Sequence, residues 1–321
     1  MSVFQNALMF ASLAYSVLYD IRFLALFGLF LGFNIFMYLA IPKGKNCNST
    51  RRKIMCATWE EPKEGCIYIR HEIDCTKVQE LIKNYKGEDD VKPTLTHFGI
   101  KAVAQILNAS RLSVNGKFLF GKYIPFKTVD VTCLVDIDGG KDLAAVTIKS
   151  CDEKNVIDIA KFIKDKGAKI KKNNGDEEHK KRIGAAQFLP PFIISVCLQL
   201  TKYITYYLGM DAPAFGIKKD NFGGATVTSI GMLGIEDAYV PHCNFMNCPV
   251  FVALGKCVDK PVVRDGKIVI APVMNINFTV DHRFIDGGKA KALNTSFKEV
   301  YEHPEKFFDC EQPKYEEKKQ N

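Results

Sequence analysis

The sequence predicts an α/β fold with a mainly antiparallel or mixed sheet, preceded by an N-terminal transmembrane helix. Three observations carry this reading. Segments alternating apolar with polar residues, such as 67–73 (IYIRHEI) and 129–137 (VDVTCLVDI), are strand-like. Between them lie stretches of helical periodicity, such as 94–108 and 156–170, so one sheet would be covered by helices. Residues 23–42, FLALFGLFLGFNIFMYLAIP, carry no charge and a single Asn. As a helix they would rise about 30 Å, the thickness of a bilayer's hydrocarbon core.

Taken in order, residues 1–47 read as the anchor. Lys43, Lys45, Arg51, Arg52 and Lys53 follow the apolar stretch, whereas only Asp20 and Arg22 stand close before it. That asymmetry puts the C-terminal part on the cytoplasmic side or its matrix equivalent. A cleaved signal peptide would want a basic start, and no Lys or Arg precedes Arg22. The earlier apolar residues 3–19 fit a second span, an interfacial helix or an extension of the first.

Residues 48–308 read as one α/β domain, followed by a polar tail at 309–321. A strand at 67–73 leads through Asp74, a candidate cap, into a helix over 75–85. A helix over 94–108 places Thr96, Ile100, Val103 and Ile106 on one face. The strand at 129–137 ends in Asp-Gly-Gly, a turn signal, and pairs with a return strand at 144–148. An amphipathic helix over 156–170 runs into the solvated loop KKNNGDEEHKKR. Pro190 and Pro191 then open a helix over 189–210 that is apolar except for Ser195, Gln199 and Lys202. It fits either a buried helix or one lying on a membrane face. Strands are expected at 225–230, 250–257 and 268–280, and a last helix at 288–301.

The chain has 321 residues and a net charge of +8. That charge suits a Lys-rich surface, an anionic membrane or an acidic ligand, and no nucleic-acid motif accompanies it. Eleven cysteines, an odd number, occur without a C-x-x-C pair, several inside apolar runs. They read as free thiols in a reducing compartment. His242, Cys243 and Cys248 fit no zinc spacing and supply too few ligands, so no metal is expected.

The chemistry concentrates at the end of the last long strand, in Val280-Asp281-His282-Arg283-Phe284-Ile285-Asp286-Gly287-Gly288. A His leaving a strand into a Gly-Gly turn has a tightly set backbone, and an Asp four residues on can fold back to an Arg. An imidazole fixed in this way can take a proton from a thiol. The same pattern also fits a structural histidine.

This string resembles the active-site motif of the acyltransferase component of 2-oxo acid dehydrogenase complexes, and more loosely that of chloramphenicol acetyltransferase. The strand Met274-Asn275-Ile276-Asn277-Phe278-Thr279-Val280 is similar to the one leading into that motif. Residues 223–234 (GGATVTSIGMLG) are similar to the family's Gly-rich segment. Arg51-Arg52-Lys53-Ile54 resembles an early family segment, and 126–137 a strand near its substrate channel. The resemblance covers residues 50–308 and implies a chloramphenicol acetyltransferase-like two-layer fold, with a homotrimer whose active sites lie between subunits.

Residue by residue, it implies His282 as general base and Thr228 as the donor to the tetrahedral oxyanion, a threonine where the family has serine. Ser229 is the fallback for that donor. Arg51, or secondarily Arg52, would hold Asp286 beside Gly287. CoA or acyl-CoA would be the substrate. The acceptor would be a dihydrolipoamide-like thiol on a separate lipoyl-bearing protein, or another molecule, because this sequence has no lipoyl domain or Ala-Pro linker. The helix over 189–210 reads as an insertion relative to the complex-forming enzymes. The family's usual home in eukaryotes points to the mitochondrial inner membrane, facing the matrix. The rival reading is a catalytically idle trimeric subunit of a membrane complex.

Overall fold

The computed structural model describes residues 11–15, 18, 23–40, 65–87, 91–119, 122–136, 143–172, 184, 189–213, 217–243, 245–285, 287–310 and 312. The chain divides into two compact units. The first comprises Met1–Pro62 and Glu178–Ile217, and the second Lys63–Glu177 and Lys218–Asn321.

In the first unit the apolar run folds as helix α1, Phe23–Ala40. Its 18 residues rise about 27 Å, slightly less than a bilayer's hydrocarbon core. Among the described residues no helix is long and apolar enough to cross a membrane. The expected transmembrane span is thus not shown: the apolar run is helical over Phe23–Ala40, and Ile41 and Pro42 lie outside the described residues.

The second unit is built on a six-stranded mixed sheet. Its strands are β1 (Cys66–Asp74), β4 (Val131–Asp136), β5 (Leu143–Ile148), β6 (Ala225–Ser229), β7 (Val250–Arg264) and β8 (Lys267–Asp281), in the order β1-β8-β7-β6-β4-β5. β6 runs parallel to both β4 and β7, and the other pairs are antiparallel. A separate hairpin joins β2 (Gly116–Leu119) to β3 (Lys122–Pro125).

The helices are α2 (Thr76–Asn84), α3 (Leu95–Ala109), α4 (Val156–Lys172), α6 (Gly287–Glu302) and α7 (Glu305–Phe308), with α5 (Pro191–Lys202) in the first unit. The N-cap of α2 is Cys75 and not the expected Asp74, whose carboxylate one residue earlier accepts the Thr76 amide at 3.0 Å and the Thr76 hydroxyl at 2.6 Å. Phe98, Ile100, Val103 and Leu107 of α3 and Phe297 of α6 are buried in one core with Val227, Val252, Ile276, Phe278 and Val280 of the sheet. Alternation along β8 thus gives even positions to the helical layer and odd positions, Asn275, Asn277, Thr279 and Asp281, to the opposite face.

α3 begins with a reciprocal cap. The Thr94 side chain meets the His97 amide, and the Thr94 amide donates to His97 Nδ1 at 3.0 Å. Burial pushes the His97 pKa down to about 4. The folded value lies below the unfolded one, so its stabilisation is complete above about pH 6.5 and is lost as pH falls toward 4. The difference corresponds to about 3 kcal/mol. Urea midpoints should therefore fall between pH 7 and 5, and His97→Asn, which keeps a cap acceptor, should flatten that dependence. Parallel pH profiles for the two proteins would assign the acid sensitivity elsewhere.

Candidate active site

β8 delivers the His282 motif. The Asp281 amide donates to Pro249 O at 3.0 Å, the His282 amide to Gly65 O at 2.9 Å, and the Phe284 amide to Asp281 O at 3.0 Å. Beyond the turn Phe284 and Ile285 are buried, and the Phe284 ring meets Tyr123 edge-on at 6.1 Å. The backbone is thus pinned on both sides of His282, whose side chain is exposed.

An unforeseen clamp holds this turn. Asp281 accepts from the Arg283 amide at 3.0 Å, from Nε at 3.1 and 3.0 Å, and from a terminal nitrogen at 2.6 Å. Burial alone would raise the Asp281 pKa, but the Arg283 bonds win and hold it below the usual carboxylate range. The signal in the sequence was Asp-x-Arg straddling the His. The expected partners Asp286, Arg51 and Arg52 lie outside the described residues, and Gly287 opens α6.

The Gly-rich block builds β6. Gly223 takes a φ of +66°, and a Cβ there would stand 2.2 Å from Asp130 O. A Cβ on Gly231 would stand 2.6 Å from Gly255 O. Only glycine allows the chain to enter and leave the strand this closely against its neighbours.

Thr228 and Ser229, consecutive on β6, face opposite sides. Thr228 aligns with Ala253 of β7 and, through it, with Asn277 of β8, on the face away from the helices. Asn277 Nδ2 there donates to Asp237 Oδ1 at 2.6 Å, and Arg70 holds the other Asp237 oxygen at 2.9 Å. His282 stands five residues beyond Asn277, so two strand spacings and five rises separate it from Thr228 by about 19 Å in one chain. The fold does not bring these two predicted residues together within a single copy.

Ser229 instead opens on the helical side into a pocket of about 830 Å³, lined among others by Thr96, Gln79, Leu254, Cys257 and Met274. Thr96 Oγ1 donates to Ser229 Oγ at 3.4 Å. Cys257, which the sequence had not marked, receives Gln79 Nε2 at 3.4 Å. A hydrogen bond from the Cys75 thiol holds Cys257 below the usual thiol range against the effect of burial, and the same contact pushes Cys75 up. The nine described cysteines are all free thiols. Among the described residues no group of three or more His, Cys, Asp or Glu side chains could hold a metal ion.

The sequence model for 2-oxoacid dehydrogenases acyltransferase (catalytic domain) matches residues 45–181 and 216–308. The dihydrolipoyllysine-residue acetyltransferase component of the pyruvate dehydrogenase complex of Rickettsia prowazekii is 23% identical over 263 residues, 80% of this chain and 53% of that protein. Its Rhizobium meliloti counterpart is 35% identical over 103 residues, 30% of this chain and 22% of that protein. The chain thus spans about half the length of the Rickettsia relative. Among solved structures, a probable dihydrolipoamide acetyltransferase from Listeria monocytogenes superposes with a TM-score of 0.59 at 20% identity, covering 84% of this chain and 97% of that one. The cubic core of the pyruvate dehydrogenase multienzyme complex gives 0.54 at 16%, covering 83% and 92%. These structures share the fold, and the family match spans both the Gly-rich block and the His282 motif. The chain belongs to the family of 2-oxoacid dehydrogenase acyltransferase catalytic domains.

Proposed function

We propose that this protein moves an acyl group between CoA and a thiol of the dihydrolipoamide type, carried on a separate molecule, in sites completed between copies of a homotrimer. The observation that carries this reading is the pinned turn presenting an exposed His282 within a family-matched segment. The separation of about 19 Å from Thr228 then requires a second copy to supply the hydroxyl. His282 takes the proton of the attacking thiol, and the thiolate adds to the thioester carbonyl. The oxyanion accepts a hydrogen bond from the Thr228 hydroxyl. Collapse expels the CoA sulfur, which recovers the proton from His282. The pocket beside Ser229 has the size of a small-molecule site, but it opens on the side of β6 opposite Thr228 and is given no part in the transfer.

The test is acetyl transfer from acetyl-CoA to free dihydrolipoamide, read as CoA released, alongside acetyl-CoA binding. A folded oligomer that neither binds acetyl-CoA nor transfers would instead be a catalytically idle structural subunit.

The chain is further proposed to be membrane-anchored through residues 23–42, with its acyltransferase unit on the reducing side. In a eukaryotic cell that is the matrix face of the mitochondrial inner membrane. Leu29, Phe33, Phe36 and Leu39 on α1 are each at least 60% exposed to solvent, a face that lipid would cover. The basic run after residue 42 and the free thiols support the orientation. Full-length protein should stay in the membrane pellet through alkaline carbonate extraction, and deletion of residues 1–47 should release it. Release of the intact chain by carbonate would sink the anchor.

A further inference from the structure

The family match breaks between residues 181 and 216, and nearly the same segment, Glu178–Ile217, groups with the N-terminal residues rather than with the acyltransferase unit. An insertion foreign to the family domain and an apolar N-terminal helix therefore form one compact unit. From Ile183 to Thr201 the insertion carries no charge, and up to Ile217 its only charged residues are Lys202 and Asp211.

Within it, α5 continues from Lys202 into a wide π turn over Tyr203–Tyr207. One side is packed, with Ile194, Thr201, Thr205 and Tyr206 each below 9% exposed. The hydroxyls on that side satisfy themselves along the helix: Thr201 donates to Cys197 O at 2.7 Å and Thr205 to Thr201 O at 2.9 Å. The other side, roughly opposite Ile194 at 100° per residue, carries Leu200 and Tyr203. Leu208 and Met210 follow, and all four are more than half exposed. An ordinary surface helix is polar where it meets water, whereas here the exposed Gln199 stands beside Leu200 and Tyr203, whose exposed surface is largely apolar.

We infer that the exposed side of residues 191–210 docks on the lipid bilayer, lying in its interface as a second membrane contact. This rests on the proposed anchor, because the same unit contains α1 with its own exposed apolar face. The helix with its π turn, Pro191–Lys202 and Tyr203–Tyr207, rises at most about 25 Å, less than the hydrocarbon core, but it can lie along a bilayer. Lys202 at its end supplies a cationic group that suits anionic headgroups. Tyr203, with an apolar ring and a polar tip, suits the headgroup level.

The test reconstitutes the full chain in phosphatidylcholine–cardiolipin vesicles containing a lipid with a photoactivatable diazirine in its acyl chain. Labelled peptides are then mapped. Residues 191–210 should be labelled along with residues 23–40. The combined variant Leu200→Gln, Tyr203→Ser, Leu208→Gln and Met210→Gln should lower labelling of 191–210 about fivefold or more, by removing most of its lipid-facing apolar surface. Labelling of 23–40 and thermal unfolding of the acyltransferase unit should stay unchanged. Label confined to 23–40 overturns this inference and leaves the anchor standing. Label in neither segment overturns both, and equal labelling of 191–210 in the variant overturns the assignment of the docking face. If the variant unfolds, label on 191–210 in the unsubstituted chain, set against the β7–β8 tip around Ile268 (78% exposed), decides the matter. A tip labelled as strongly as the insertion would show general stickiness and overturn the inference.

Discussion

His282→Ala should lower kcat for acetyl transfer about 10³-fold, the middle to upper range for losing a positioned general base. Acetyl-CoA affinity, oligomeric state and thermal midpoint should stay unchanged. The reason is where the side chain sits. The turn is held by main-chain bonds to Pro249, Gly65 and Asp281, by the Asp281–Arg283 clamp, and by burial of Phe284 and Ile285. None of these uses the imidazole, which is exposed. Truncating it removes proton transfer and almost no packing, so the loss should appear in kcat and not in stability. His282→Gln should be equally inactive, since an amide can hydrogen-bond a thiol but cannot take its proton. A loss below about tenfold in kcat would remove His282 from the reaction, and a fallen thermal midpoint would make it a structural residue.

Particular residues show where the sequence was informative. Strands with one face on the helices declared themselves, because alternation in 67–73 and 129–137 is what a half-buried strand requires. β7 was expected over 250–257 only, although Pro261 is no bar to a longer strand at a sheet edge. It continues to Arg264 because it pairs with β8 as far as Lys267, while β6 pairs only with Val250–Leu254. Beyond that point β7 is an edge strand, and Pro261 has no lost ladder bond on its open side. The β2–β3 hairpin was missed because four-residue strands carry too little alternation to read. The His282 motif and the Gly-rich block were visible as patterns. Hidden was the register that sets Thr228 and His282 apart, since β6, β7 and β8 meet only through pairings that no local signal encodes. The Asp281–Arg283 clamp was not read beside the expected pairing of Asp286 with Arg51, whose residues lie outside the described ones. The nearness of Cys75 to Cys257 joins the start of α2 to β7, two elements far apart in sequence.

That register yields the second large effect. Thr228→Ala should lower kcat about 10²-fold or more with little change in acetyl-CoA affinity, as expected for a donor that bonds the oxyanion only in the transition state. Ser229→Ala separates the two candidate hydroxyls, because they face opposite sides of β6. Ser229 lines the pocket on the opposite side, so its loss should leave kcat nearly unchanged. A reversal of the two phenotypes would move the oxyanion donor to Ser229. Mixing then asks whether the catalytic pair comes from two chains. Inactive His282→Ala and Thr228→Ala proteins, unfolded together and reassembled in equal amounts, should regain about a quarter of wild-type activity if each site takes its His from one copy and its hydroxyl from another. Random assembly then gives both intact groups to one site in four. If both groups came from the same chain, every site would keep one defect and the mixture would stay as inactive as its parents. Recovery therefore measures the between-copy geometry directly and does not depend on which acyl acceptor the protein uses. An inactive mixture of correctly sized oligomers would mean that no site takes His282 from one copy and Thr228 from another.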